Sequence, residues 1–300
     1  VNTRLKVDSD KAASLLRLAT HASVITAVVL IVAKLAAWWL TESVSVMASL
    51  IDSLMDAVAS LLNLAAVRYS LQPADEDHRF GHGKAEPLAG LAQSAFIAGS
   101  AAFLVLHAID RLIHPQPVLE IGVGIGVMVF AIVATLGLLA IQRHVIRATG
   151  STAIRADSLH YVTDLLTNLS IIAALVLSGM GVTGVDPLIA IAIAIYILYS
   201  AWQIGTDAVN LLMDRELSDD LKDEVREIAH RHPEVRGVHE LRMRRSGQTY
   251  IIQLHLELDE DMSLASAHRI SDNVEGEIMA AFPGADVLIH QDPVNQGPNR

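Results

Sequence analysis

Asp52 and Asp56, and again His160 and Asp164, stand four residues apart inside stretches that are otherwise apolar and of membrane length. On a helix an i, i+4 spacing puts both side chains on one face, about 6 Å apart along the axis. An ionised group in hydrocarbon costs upward of about 3 kcal/mol. Four such groups in two distant segments make physical sense only if they converge and bind something. Three carboxylates and one imidazole are a hard-to-borderline set of four ligands that suits a divalent ion such as Zn²⁺. The expected chemistry is metal binding inside a membrane, which means transport.

The elements that must position these groups are long apolar helices. The chain has 300 residues, 52% of them hydrophobic, and a mean hydropathy of +0.41. Six stretches are long enough to cross about 30 Å of hydrocarbon: Ser14–Leu40, Val44–Tyr69, Pro87–Ala108, Val118–Ile141, Ile154–Leu177 and Asp186–Leu212. The second and fifth are the least apolar because they carry the ionisable pairs. The sixth is too long for one crossing, so it protrudes into water or breaks near Trp202. Bases cluster before the first span (Arg4, Lys6, Lys11, Arg17), after the second (Arg68, Arg79, Lys84) and after the fourth (Arg143, Arg147, Arg155). The opposite side shows Arg111 alone, and the loop 178–185 has none. Under the positive-inside rule both termini face the cytoplasm. Lys34, within the first span, reads as a side chain snorkelling to the outer interface beside Trp38 and Trp39. Gly122, Gly124 and Gly126 lack the spacing of a dinucleotide loop and read as a close helix-packing surface.

The acidic charge lies toward the end of the chain. Residues 1–213 carry 12 Lys/Arg and 15 Asp/Glu, residues 214–300 carry 10 and 18. This divides the sequence into an N-terminal segment 1–13, a membrane domain 14–213 and a soluble domain 214–300. In the last, Ser218 opens a helix bearing Leu221, Val225 and Ile228, and Val238–Arg245 and Gln248–Leu258 form a hairpin about Ser246-Gly247. Ser263 opens a second helix, and Asp286–Gln291 forms a third strand. The order αββαβ predicts a small α+β sandwich with helices on one face of the sheet. Alternation turns Tyr250, Ile252, Leu254, Leu256 and Leu258 inward and His255 outward. A three-stranded sheet brings His239, His255 and Asp292 together, with His268 and His290 nearby. His230 and His232 read as helix C-terminal charges.

Between spans two and three, Asp75, His78 and His82 have the types of metal ligands. They align if the segment is helical, but Gly81 and Gly83 make a tight turn equally reasonable. Asp157, seven residues before Asp164, reads as a group at the cytoplasmic end of the same cavity.

Several classes are disfavoured. The chain has no cysteine, which excludes disulfides and thiolate metal sites. No phosphate-binding G-x-x-x-x-G-K-[ST] loop provides for ATP. A net charge of -11 argues against nucleic acid as a partner. The only approach to H-E-x-x-H, His239-Glu240, has Met243 in the final position and lies outside the spans, which disfavours an intramembrane metalloprotease. A passive metal channel is a further rival. No signal peptide is expected, because the first 17 residues are polar.

Taken together, these residues resemble the cation diffusion facilitator family. The D-x-x-x-D pair Asp52/Asp56, the H-x-x-x-D pair His160/Asp164 and the run from Asp77 to Leu88 are similar to the family's motifs. The segments from Gln253 to Leu258 and from Ile289 to Pro293 resemble its bacterial YiiP-type branch of zinc/cadmium–proton antiporters. The resemblance implies an α-helical membrane protein of six transmembrane helices with a C-terminal cytoplasmic ferredoxin-like α+β domain. It implies a transport site at Asp52, Asp56, His160 and Asp164 and a loop site at Asp75, His78 and His82. A binuclear site in the tail would draw on His239, His255, His268, His290, Gln291 and Asp292. It further implies a homodimer in the bacterial inner membrane, not an enzyme, that exports Zn²⁺, Cd²⁺ and Fe²⁺ in exchange for protons by alternating access. Zn²⁺ would also be resident in the tail, and no nucleotide is needed.

Overall fold

The computed structural model describes residues 9–42, 44–113, 124–179 and 186–294. They pack as two compact units, residues 13–209 and residues 210–294, with the described residues 9–12 grouped with the latter.

The first unit is helical. Its elements are α1 (Ser9–Thr41), α2 (Val44–Ser70), α3 (Ala85–Ile113), α4 (Gly124–Thr149), α5 (Thr152–Gly179) and α6 (Asp186–Leu212). Five of these, all but α5, are long and apolar enough to cross a membrane. The fifth has 28 residues, but Arg155, Asp157, His160 and Asp164 lower its hydropathy. The bundle exposes large apolar side chains and buries, beside apolar clusters, a set of polar ones. Ile25, Val32, Leu62, Phe103 and Val133 are exposed, while Ser23, Ser60, Gln142 and Asp157 are buried. This is the arrangement for a surface solvated by lipid around an interior that holds polar groups.

Three expectations are changed or narrowed. The fourth span is expected over 118–141, but the described helix runs from Gly124 to Thr149. A hydropathy window stops at Arg143, whereas the helix continues through His144 and Arg147. Residues 118–123 lie outside the described residues, as do Gly122, Arg4 and Lys6 and most of the loop 178–185. The sixth helix passes Trp202 without a break. On the glycine surface of α4, a Cβ on Gly126 would meet nothing among the described residues within 4 Å.

The close approach occurs elsewhere. A Cβ on Gly90 of α3 would lie 3.0 Å from the carbonyl carbon of Thr152 and 3.2 Å from the Ala153 nitrogen, both backbone atoms of α5. Beside it, the buried Glu86 accepts from the Thr152 N–H at 3.1 Å and so caps the start of α5. Gly90→Ala is therefore expected to push α5 away and to cost about 1–3 kcal/mol. The check is a fall of several degrees in the thermal unfolding midpoint of the detergent-solubilised protein.

The second unit contains α7 (Asp219–His230), β1 (Gly237–Ser246), β2 (Thr249–Leu258), α8 (Leu264–Ala281) and β3 (Asp286–Pro293). The sheet order is β1-β2-β3, with β1 antiparallel and β3 parallel to the central strand. Tyr250, Ile252, Leu254, Leu256 and Leu258 are buried and pack on Val225 and Ile228 of α7 and Val274 and Ile278 of α8. Period-2 alternation thus commits one sheet face to the helices and leaves the other for His255. Ser263 caps α8 by accepting from the Ser266 N–H at 3.3 Å. His232 does not merely serve a helix dipole, since its Nε2 lies 3.3 Å from Glu277 of α8.

Candidate metal centres

Among the described residues, three clusters gather ligand atoms close enough for one ion each: Asp56, His160 and Asp164; Asp75, His78 and His82; and His239, His255 and Asp292.

The first lies among the apolar helices. His160 Nε2 is 2.8 Å from Asp56 Oδ1 and 3.9 Å from Asp164 Oδ2. The i, i+4 spacing in α5 supplies His160 and Asp164, and α2 supplies Asp56 from across the groove. Asp52, one turn earlier on α2, is exposed and stands outside the cluster in this conformation. Asp56, His160 and Asp164 are all half-buried, so an ion has a route to them.

Two neighbours differ from expectation. Lys34 does not snorkel outward; its ammonium donates to the Ser49 carbonyl at 3.0 Å and to Ser53 Oγ at 2.7 Å, both on α2. A hydrogen-bonded site at hand replaces the need to reach the interface. Asp157 does not line a cavity mouth. It is fully buried and accepts from Ser23 Oγ at 2.6 Å and Gln142 Nε2 at 2.8 Å, with Gln93 Nε2 at 3.5 Å. These partners come from α1, α4 and α3, so the carboxylate ties α5 to three other helices. Tyr161, on the same helix, adds a hydrogen bond with Ser60 Oγ at 3.0 Å and donates to the Ser23 carbonyl at 3.3 Å.

The second cluster is built by a turn, not a helix. Asp75 Oδ1 accepts from the backbone N–H of His78 at 2.6 Å and of Asp77 at 3.1 Å. Gly81, at φ 75°, takes the left-handed conformation that brings the chain back to His82. The buried His82 donates from Nδ1 to the Pro73 carbonyl at 3.2 Å, which aims Nε2 at Asp75 Oδ2, 3.2 Å away. That orientation by a backbone carbonyl is typical of an imidazole ligand. His78 stacks at 4.6 Å from His82, and Tyr69 packs edge-on against His82 at 4.5 Å. The backbone hydrogen bond from His78, opposed by some loss of hydration and helped by the His82 and His78 rings, holds the Asp75 carboxyl below its ordinary range. It is therefore ionised and ready to ligate.

In the tail, strand register assembles the third cluster. His239 pairs with His255 across β1 and β2, and His255 pairs with His290 across β2 and β3. One outward face thus carries a row of three imidazoles. Asp292 Oδ2 is 2.8 Å from His255 Nδ1 and 3.2 Å from His239 Nε2, and Oδ1 is 3.1 Å from His290 Nε2. Partial burial pushes the Asp292 carboxyl up, but the hydrogen bond from His255 and the fields of His290, His255 and His239 outweigh it and hold it below the usual range. Two residues expected here point elsewhere within the chain. Gln291 donates to Ser271 Oγ at 2.9 Å on the helix side, as alternation from His290 requires. The exposed His268 lies 3.4 Å from Asp272 on its own helix.

Glu257 and Glu240, which sequence reasoning missed, border the row: His239 Nε2 is 3.7 Å from Glu257 and His255 Nε2 is 3.9 Å from Glu240. Glu257 shares the alternation phase of His255 and was findable. Glu240 was not, because an irregularity between His239 and Arg242 and its φ of 47° re-aim it.

Neutral imidazole is the ligand form, so metal and protons compete at this row. An ion held by this row is therefore expected to be released on acidification. Bound metal measured on the protein at neutral and at progressively lower pH checks this; an amount bound that ignores pH would contradict it.

Residues 20–213 match the family model described as the cation efflux transmembrane domain, and residues 217–294 match the cation efflux protein cytoplasmic domain. The chain is 52% identical over 286 residues to the cation-efflux pump FieF of Pectobacterium atrosepticum, covering 95% of each chain. It is 51% identical over 280 residues to the pump of that name from Cronobacter sakazakii, covering 93% of each. Among solved structures, the metal-bound C-terminal domain of the CzcD transporter from Thermotoga maritima is 30% identical, covering 26% of this chain and 92% of that one, at a TM-score of 0.25.

Proposed function

Because this chain belongs to the cation efflux family, and is a membrane-embedded transporter of metal cations and not an enzyme, we propose that it exports Zn²⁺ in exchange for protons by alternating access. Cd²⁺ and Fe²⁺ are further cargo. The observation that carries this reading is the convergence of Asp56, His160 and Asp164 among apolar helices. Asp52 completes the transport site by joining the shell in another state of the cycle.

The ligand chemistry supports antiport. Carboxylates must be ionised and the imidazole neutral to hold the ion, so protons entering from outside displace it. Each elementary charge moved is worth about 2.3 kcal/mol per 100 mV, so exchange against protons has a driving force without ATP. One nitrogen and three oxygens favour Zn²⁺ over Mg²⁺ or Ca²⁺, which take six or more oxygens.

The soluble unit acts as a cytoplasmic metal sensor in a homodimer of the bacterial inner membrane, with both termini cytoplasmic. Its row of His239, His255, His290 and Asp292 fits resident zinc, since the donor set is imidazole and carboxylate with one oxygen already shared between two rings. His268 and Gln291 would complete a binuclear site only from a second copy of the chain. The Asp75, His78 and His82 cluster is a further zinc site at the membrane edge, and residues 1–13, 14–213 and 214–300 are the functional divisions.

Purified protein in liposomes tests the transport reading. Zinc uptake is expected to rise severalfold when a pH gradient opposes the metal flux and to saturate with metal. Flux that ignores the pH gradient and passes equally in both directions would instead identify a channel.

A further inference from the structure

Lys34 is a cation in an apolar helix, two turns before α1 ends at Thr41, and its position relative to the intramembrane cluster is specific. The ammonium is held by Ser49 and Ser53 of α2. On an α-helix Ser49, Asp52, Ser53 and Asp56 fall within one arc of about 100°. An ammonium gripped by the two serines therefore stands on the carboxylate face.

The charge balance gives this placement a consequence. With His160 neutral, Asp52, Asp56 and Asp164 bring three negative charges and Lys34 one positive. The sum is equal and opposite to a divalent ion, so the loaded centre is neutral. Without Lys34 the loaded centre would keep an uncompensated negative charge in hydrocarbon, where net charge is expensive. The ammonium also repels the ion it helps to balance, which weakens binding and assists release.

We propose that Lys34 is a built-in counter-charge that sets the valence preference of the transport site and keeps its grip on the ion loose enough for turnover. This rests on the reading of Asp52, Asp56, His160 and Asp164 as that site. Lys34 touches no ligand and acts through its field, so it is a positioning and specificity residue.

The test is calorimetric Zn²⁺ titration of the full-length protein carrying His82→Ala and His255→Ala, which silence the loop and tail clusters. In that background Lys34→Met is expected to bind Zn²⁺ about tenfold more tightly than its parent, and to turn over more slowly in liposomes. Lys34→Arg, which keeps the charge, is expected to match the parent. A merely structural staple between α1 and α2 predicts the opposite sign, weaker binding on its loss. Unchanged or weaker binding by a folded Lys34→Met protein overturns the proposal; if that variant does not fold, Lys34→Gln, which retains a donor for Ser53, decides by the same criterion. Asp56→Ala in the same background separates the two ideas. Loss of the titration there upholds the site whatever Lys34 does, and an unchanged titration removes the site reading and this inference together.

Discussion

Asp56→Ala is expected to lower metal export at least a hundredfold while the protein still folds. The residue supplies one of three converging ligand atoms, and its Oδ1 is the nearest partner of His160 Nε2 at 2.8 Å. Removing one charged member of a partly buried constellation typically costs about 3–5 kcal/mol, and each 1.4 kcal/mol is tenfold in affinity. The half-buried position, with neighbouring helix contacts made by other residues, limits the cost to folding. Initial rates of zinc efflux in liposomes, with unfolding midpoints measured alongside, check both halves. Asp52→Ala belongs in the same experiment. A loss as deep as that of Asp56→Ala means that Asp52 closes the shell in another state of the cycle. Near-normal export by Asp56→Ala would leave the cluster without a role in transport.

Asp157→Leu is expected to be the most destabilising single change in the helical unit. The carboxylate is fully buried and joins Ser23, Gln142 and Gln93 from three helices. Leucine removes the acceptor these three share; Ser23 Oγ can still donate to the Ala19 carbonyl at 3.1 Å and Gln142 Nε2 to Ser23 Oγ at 3.1 Å, so the cost is the lost hydrogen bonds to a charged group, about 1.5–3 kcal/mol each. The total, several kcal/mol, is a large share of the stability of an ordinary domain. Because α5 also carries His160 and Asp164, loosening its anchor is expected to weaken metal binding in step with the fall in unfolding temperature. Asp157→Asn, which keeps one acceptor oxygen, should lose less. A Leu variant with an unchanged midpoint would show that the four helices are held by packing alone.

The legible parts of this protein were those governed by short periods. The i, i+4 spacing of His160 and Asp164 fixes their common face whatever else the chain does, and alternation along β2 places His255 opposite Leu254 and Leu256. The order αββαβ likewise follows from runs of residues too short to be read otherwise. What escaped depends on how one helix is rotated and stacked against another. Nothing local to Lys34 says that Ser49 and Ser53 will face it, and nothing near Asp157 announces Gln142. Gly126 looks like a packing glycine and faces open space among the described residues, while Gly90, unremarked, is the one pressed on α5. Gln291 was grouped with its neighbours His290 and Asp292, although adjacent residues on a strand face opposite ways. The loop cluster was ambiguous because Asp75, His78 and His82 fit helical spacing, yet Gly81 bends them together by another route.

The parallel pairing of β2 with β3 bears on the order in which the tail matures. A parallel neighbour cannot follow through a tight hairpin; it arrives only after an intervening crossover, here α8. Two of the four groups in the histidine row, His290 and Asp292, ride on that late strand. A nascent chain with its β1–β2 hairpin formed would therefore present only half a centre, too poor in donors to sequester scarce ions. On the proposed reading of this row as a metal site, strong capture would begin only when the C-terminal strand docks, and the ion would act as a seal on a completed fold and not as a seed for a partial one.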